Sequence, residues 1–352
     1  MPTAFAIQFD PGHENGYLPG SWISGRVFLI LSKPLRTRGL RLKFKGYEYT
    51  HWTTGSSKHR RTHTETSIIF DQNITLVGFQ QGESVSNALL AELPAGNSVY
   101  PFRIQVPNIH LPASIQLNTG YIRYELSAYI DIVGWFDKYS PTYLIRINQI
   151  LLVNSSELLK PIAVHQDQVM GCFSNQGVIS MICSIAKQGY LPGETIIIDS
   201  QITNNSKRTK ILSVNAILRQ KVVFKAHSST RKTELAICNM DIETMLPAGS
   251  PAAGFQNRIT IPSNVVFSSC NARLVNVSYV VSVILNRDGC GFAIEGDLPI
   301  FIGNSTLDNQ QPVPMPSTGI SALQYTIDQP QYPQQLDSEL PPYQEILGDV
   351  SY

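Results

Sequence analysis

The chain has 352 residues, 43% hydrophobic and 15% charged, with 24 Gly and 22 Pro; it is long enough for two or three domains with full cores and is rich in turns. Its net charge of +1 hides an uneven distribution: no Lys or Arg follows Arg287, and Asp308, Asp328, Asp337, Glu339, Glu345 and Asp349 give residues 304–352 a charge of −6, which leaves +7 for residues 1–303. Basic residues interspersed with acids argue against a nucleic-acid-binding stripe, whereas a mildly basic body with an acidic tail fits an anionic membrane face, acidic partner peptides or ordinary scatter.

Met1–Asp10 has neither the basic region nor the long apolar core of a signal peptide, and no stretch approaches the roughly 18 apolar residues that span a bilayer. A cytoplasmic chain is expected, and the five cysteines, Cys172, Cys183, Cys238, Cys270 and Cys290, fit reduced thiols there. Phe5, Ile7 and Phe9 alternate with Ala6, Gln8 and Asp10, the period of a half-buried strand. The turn Gly16-Tyr17-Leu18-Pro19-Gly20 follows, where Pro presets φ and Gly takes the positive φ after it. Ile23, Val27, Leu29 and Leu31 continue the alternation, and Leu40, Leu42 and Phe44 alternate with Arg41, Lys43 and Lys45. Before the tail no window carries a sustained helical period; the nearest, Ser86–Glu92, predicts one or two helical turns.

His51–His63 is rich in Thr, Ser and Gly, and its His59 and His63 stand four apart. That spacing serves a metal on a helix, but between strands it brings no pair together without a further ligand, so a solvated hairpin tip is predicted. Its Lys58–Arg61 cluster either touches lipid phosphates or guards a sheet edge.

The first turn returns as Gly189-Tyr190-Leu191-Pro192-Gly193, and Leu93-Pro94-Ala95-Gly96 returns as Leu246-Pro247-Ala248-Gly249, at offsets of 173 and 153. The markers keep their order while the first copy carries twenty more residues between them, placed near His51–His63. Phe102, Ile104 and Val106 lead to Pro107 as Phe255, Ile259 and Ile261 lead to Pro262, and Tyr124 and Tyr279 each follow their proline by seventeen residues. Ile122, Tyr124, Leu126, Ala128 and Ile130, and likewise Val277, Tyr279, Val281, Val283 and Leu285, read as the inner faces of long strands. Alternating strands at roughly 10-residue spacing, parted by Gly, Pro and Asn and occurring twice, predict two antiparallel β-sandwiches.

The predicted architecture is all-β: an N-terminal sandwich over residues 1–153, a linker over 154–163, a C-terminal sandwich over 164–303, and a disordered acidic Pro/Gln-rich tail over 304–352. No glycine-rich phosphate loop, metal-spaced Cys/His set or nucleophile elbow occurs, so neither enzyme activity nor a cofactor or metal is expected.

Three motifs of the first half are Gly20–Leu31, Leu93–Gly96 ahead of Tyr100-Pro101-Phe102, and Gly120–Tyr124. The second half has Gly189–Asn205, Ser269-Cys270 ahead of Tyr279, and Leu298-Pro299-Ile300 with Ile302-Gly303. With these in order, residues 1–303 resemble the arrestin superfamily, and its alpha-arrestin (arrestin-domain-containing) branch in particular. The resemblance implies two seven- to eight-stranded sandwiches and a non-enzymatic adaptor that binds membrane-protein cargo such as receptors or transporters, at the plasma membrane and endosomes. It also implies recruitment of a HECT-type ubiquitin ligase, whose WW domains read Pro-Pro-x-Tyr in the tail. This sequence departs from that pattern and offers Leu340-Pro341-Pro342-Tyr343, a Leu-Pro-x-Tyr variant.

The variant suits the same groove, because Pro341-Pro342 presets the backbone and Tyr343 fills a second pocket. Pro330 and Tyr332 offer a poorer second contact, and Tyr343 with Ile346 forms a Tyr-x-x-apolar arrangement like those read by clathrin adaptors. Cys270 falls where the thioredoxin-interacting member of the family places a cysteine used for a mixed disulfide, although a packed thiol before a buried strand explains it as well. A ligase-independent trafficking or signalling scaffold is the alternative reading.

Overall fold

The computed structural model describes residues 2–56, 59–80, 90–132, 134, 136–171, 176–289 and 293–307. The N-terminal half comprises β1 (Pro2–Phe9), β2 (Trp22–Leu31), β3 (Leu35–Thr37), β4 (Gly39–Thr54), β5 (Arg61–Gly78), β6 (Ala91–Leu93), β7 (Gly96–Gln105), β8 (Ile115–Gln116), β9 (Gly120–Asp131), β10 (Lys138–Tyr139) and β11 (Tyr143–Ile145). The C-terminal half comprises β12 (Ile162–Val169), β13 (Val178–Ile185), β14 (Gly189–Tyr190), β15 (Thr195–Asn204), β16 (Ile211–Ala226), β17 (Ser229–Leu246), β18 (Ser250–Thr260), β19 (Val275–Arg287) and β20 (Ile294–Ile302). A 3-10 turn, His13–Asn15, lies between β1 and β2.

Each half is a sandwich of two sheets. In the first, β1-β2-β7 faces β10-β9-β4-β5, with β8 and β11 also on β9 and a short β3-β6 ladder beside them; in the second, β12-β13-β15-β18 faces β14-β20-β19-β16-β17. The eleven and nine strands exceed the seven or eight implied by the resemblance because several are two- or three-residue pieces. Pairing is antiparallel except for β14 on β20 and the isolated bridges Tyr17–Ile147 and Leu152–Ser305.

Period-two patterning builds the cores. Ile23, Val27, Leu29 and Leu31 on β2, Leu40, Leu42 and Phe44 on β4, and Val277, Tyr279, Val281, Val283 and Leu285 on β19 are all buried, each apolar side chain contributing about 1.5–3 kcal/mol on leaving water. Arg41 departs from the expected alternation: it is 2% exposed on the opposite face of β4, where Nη1 donates to Thr75 Oγ1 at 2.6 Å and Nη2 reaches the Asp131 carboxylate at 3.3 Å. The guanidinium stays buried because it is paired.

The repeated letters do the same work twice. Gly20 and Gly193 have φ of 82° and 86°, and the turns close through Ser21 N to Leu18 O and Glu194 N to Leu191 O, both 3.1 Å. Gly20 N donates to Val106 O and Gly193 N to Ile261 O, which pins each turn to the strand end before Pro107 or Pro262. The hydroxyl of Tyr124 donates to Pro112 O at 2.6 Å, and that of Tyr279 to Val266 O. Two buried phenols thus tie an inner strand to the loop before it.

The extra residues of the first copy lie elsewhere than expected. The paired hairpins β4–β5 and β16–β17 have strands of the same lengths, 16 and 18 residues, and their connecting loops, 55–60 and 227–228, differ by four residues. Most of the insertion falls after β5: Gly78 is fifteen residues before Leu93, whereas β17 ends on Leu246 itself. The expected helical turn at Ser86–Glu92 is corrected at its end, where Ala91 and Glu92 are in β6; residues 81–89 lie outside the described residues.

Candidate functional site: the domain junction

The tail motifs Leu340–Tyr343, Pro330 with Tyr332, and Tyr343 with Ile346 lie outside the described residues. His59 is exposed at the end of the β4–β5 hairpin, while the His63 ring stacks on Trp52 at 5.2 Å and its Nε2 meets Thr54 Oγ1 at 2.9 Å. The two histidines are therefore not brought together, and among the described residues no group of three or more His, Cys, Asp or Glu could hold a metal ion.

The site that the structure assembles is one that the sequence reading missed. On β4 the inward phase of Leu40, Leu42 and Phe44 continues through Gly46 to Glu48, which is 2% exposed. Glu48 faces Ile122 on β9; the matching position in the second copy, facing Val277 on β19, is the buried apolar Val222. A carboxylate therefore occupies a core position. Its partners come from the other sandwich: Oε1 accepts the backbone N–H of Arg273 at 2.7 Å, and Oε2 accepts those of Leu274 at 2.6 Å and Val275 at 3.2 Å. Three donors replace the water lost on burial. Burial, with the Glu48 charge adding to it, also pushes the Tyr124 phenol far above its ordinary value.

Further contacts widen the clamp. Thr50 Oγ1 donates to Lys225 O at 2.6 Å. Glu65 accepts from His227 N and from Arg273 Nη2 at 2.8 Å, while Arg273 Nη1 reaches Ser67 Oγ at 3.3 Å. His227 and Asn271, with φ of 52° and 61°, are the non-glycine residues with left-handed backbone among the described residues, and both sit at this junction. Residues of this kind are held in place by their surroundings. On the other side of the junction the chain returns on itself: Leu151 N donates to Asn304 Oδ1 at 2.8 Å, Asn304 Nδ2 to Gln149 O at 2.7 Å, and Val153 N to Ser305 O at 3.0 Å.

Cys270 lies in this region, half-buried, with its carbonyl accepting from Gln149 Nε2 at 3.4 Å. It lines a cavity of about 20 Å³ with Ile115, Ile122, Leu151 and Phe267, room for about one water. Burial raises the Cys270 thiol above its ordinary value, which suppresses the thiolate that exchange chemistry requires. Cys183 and Cys238 are also free thiols, while Cys172 and Cys290 lie outside the described residues.

Two β-sandwiches built from one repeated plan, joined through a buried carboxylate and a returning strand end, define the class of this chain as an arrestin-fold protein. Family models agree: the arrestin (or S-antigen) N-terminal domain matches residues 5–150 and the C-terminal domain residues 175–307. The chain belongs to the arrestin family, within its arrestin domain-containing, or alpha-arrestin, branch. It is 25% identical over 302 residues to human arrestin domain-containing protein 4, covering 85% of this chain and 71% of that one. With arrestin domain-containing protein 17 of Caenorhabditis elegans the identity is 27% over 274 residues, 74% of this chain and 62% of the relative. Human thioredoxin-interacting protein is 20% identical over 307 residues, 86% and 74% of the two chains.

Proposed function

We propose that this chain is a non-enzymatic adaptor that holds membrane-protein cargo on its paired sandwiches and a HECT-type ubiquitin ligase on its tail. The observation that carries the reading is the pairing of two arrestin domains, clamped through Glu48, with a tail sequence, Leu340-Pro341-Pro342-Tyr343, of the chemistry that WW domains accept. The mechanism is proximity. Cargo lysines and the ligase share one scaffold, so the local enzyme concentration rises without any new contact between them. One docking of this kind is weak, on the order of micromolar or about −8 kcal/mol, and Pro330 with Tyr332 adds a second, poorer contact. Ubiquitinated cargo then enters endocytosis and sorting, with the chain cycling between cytoplasm, plasma membrane and endosomes.

The test is capture of the full chain by immobilised WW domains, comparing wild type with Pro341→Ala and Tyr343→Ala. Both substitutions are expected to abolish capture. Equal capture of all three overturns the ligase arm and leaves the ligase-independent scaffold, which the departure from Pro-Pro-x-Tyr favours.

A further inference from the structure

We propose that β12, the outer strand of the C-terminal sandwich, is a dimerisation edge: two copies of this chain pair antiparallel through Ala163–Val169 and join their four-stranded sheets into one. The inference goes beyond the adaptor reading and involves neither the tail nor the domain junction. Its first ground is an open ladder. β12 ends the sheet β12-β13-β15-β18, and among the described residues no strand takes its other side. The register runs from Ile162 opposite Ile185 to Val169 opposite Val178 without a shift, and Met170 N donates to Gly177 O in continuation of it. Hydrogen-bonded pairs alternate along an antiparallel ladder. Ile162, Val164, Gln166 and Gln168 therefore bond to β13, while the N–H and C=O groups of Ala163, His165, Asp167 and Val169 point away from it. Those four residues are exposed. Val169 O accepts from the neighbouring Gln168 Nε2 at 3.2 Å, an exposed contact that a partner strand can displace.

The second ground is the lack of edge protection. Natural edges are blunted by Lys, Pro, a bulge or a covering segment. Residues 162–169 contain no Lys, Arg or Pro, and their ladder has no bulge. Other edges of this protein are guarded. On β1 the N–H of Ile7 donates to the Tyr143 hydroxyl at 3.1 Å. β17 lies against β18, where Asn257 Nδ2 donates to Met240 O at 3.2 Å, and β17 itself carries exposed Arg231 and Lys232.

The third ground is self-complementarity, which makes a second copy the occupant. A two-fold axis through Gln166 sets His165 opposite Asp167 of the second copy and Ala163 opposite its Val169, each twice. Outward residues then face outward residues, as the hydrogen bonds require, and the contact repeats itself across the axis, as an isologous interface must. Imidazole against carboxylate and apolar against apolar are favourable cross-strand pairs. Moving the axis to His165 or to Asp167 sets like groups against each other, which fixes the register. Within one chain His165 Nε2 already lies 3.1 Å from Asp167 Oδ1, with both side chains more than half exposed, and pairing exchanges this contact for its equivalent across the axis. A strand about 26 Å long makes a small interface, so the dimer is reversible and concentration-dependent, on the order of micromolar or weaker. It carries two Leu340–Tyr343 motifs, which turns a weak docking into a bivalent one. That consequence rests on the adaptor reading; the dimer does not.

The experiment is sedimentation of the purified full chain over a concentration series, with disulfide trapping to read the register. Across the axis Gln166 meets itself in a non-hydrogen-bonded pair with Cα atoms about 4.5 Å apart, within reach of a disulfide, whereas the two Gln168 residues lie ~13 Å apart. Wild type should shift from monomer to dimer as concentration rises. Mild oxidation should trap Gln166→Cys as a covalent dimer above the wild-type background, but not Gln168→Cys. His165→Pro removes an outward donor without touching the bonds to β13 and should leave a monomer, and its thermal unfolding checks that it folds. His165→Asp sets carboxylates opposite each other and should raise the dimer dissociation constant about ten-fold; adding Asp167→His should restore it, a recovery that a misfolded variant does not show. The proposal is overturned if wild type stays monomeric throughout, if folded His165→Pro still dimerises, or if Gln168→Cys is trapped as readily as Gln166→Cys. It is also overturned if Gln166→Cys, oxidised in cell extract, links to a different protein and never to itself, an outcome that assigns the edge to another chain's strand. A single WW domain in solution should bind each tail of wild type and His165→Pro equally, so failure here is separable from failure of the ligase arm.

Discussion

Replacing Glu48 with Val, the residue at the matching place in the second copy, removes the acceptor for the N–H groups of Arg273, Leu274 and Val275. Leu274 and Val275 are buried, so their donors cannot turn to water. Each orphaned N–H costs about 1–3 kcal/mol, and relief of the carboxylate's own desolvation offsets part of the total, which leaves roughly 3–5 kcal/mol lost from the junction. Native-state hydrogen exchange reads this locally. The three amides should lose about 10²-fold or more in protection, while amides in the centre of β2 and β15 change little. Glu48→Gln should fall between, because one amide oxygen serves some of the donors while the amide nitrogen opposes the rest. Wild-type exchange rates at residues 273–275 in Glu48→Val would refute the clamp.

Other expectations concern the cores and thiols. A Cβ at Gly46 would lie 2.6 Å from the Tyr124 ring and 2.8 Å from Phe70, so Gly46→Ala should cost several kcal/mol, on the order of overpacking in a filled core, read as a lower denaturant midpoint; an unchanged midpoint counts against the packing described. Tyr124→Phe and Tyr279→Phe each remove a buried hydroxyl bonded to a carbonyl and should cost about 1–2 kcal/mol in urea titrations, the second also stranding Gln220 Nε2. Burial pushes the Cys183 thiol up to about 11 and raises those of Cys238 and Cys270. At neutral pH all three should alkylate more slowly than free cysteine and speed up on denaturation; rapid alkylation of native Cys270 would revive a thiol-exchange role.

What was legible in the letters was whatever depends on neighbours in the chain. Leu-Pro-Gly sets a turn by its own dihedral preferences, and Leu40, Leu42 and Phe44 mark an inward face by alternation alone. The doubling followed from two such turns recurring in order. Partnerships between distant segments were not legible. Arg41 looks solvent-facing until Asp131 and Thr75 arrive from β9 and β5, and Glu48 reads as an ordinary surface acid unless the inward phase of β4 is extended six residues past Leu42. That extension was the available signal: a carboxylate on an apolar phase needs donors from somewhere. Two marker offsets fix the size of an insertion but not its position, which is why the extra length was assigned to the hairpin tip.

Proximity labelling of the full chain in cells, wild type against Tyr343→Ala, tests the adaptor account most directly, since it reports cargo and ligase in one sample. The account expects the variant to lose HECT-type ligases while keeping its membrane-protein neighbours, with less ubiquitin on them. Identical ligase labelling in the two, or loss of cargo together with ligase, would contradict it.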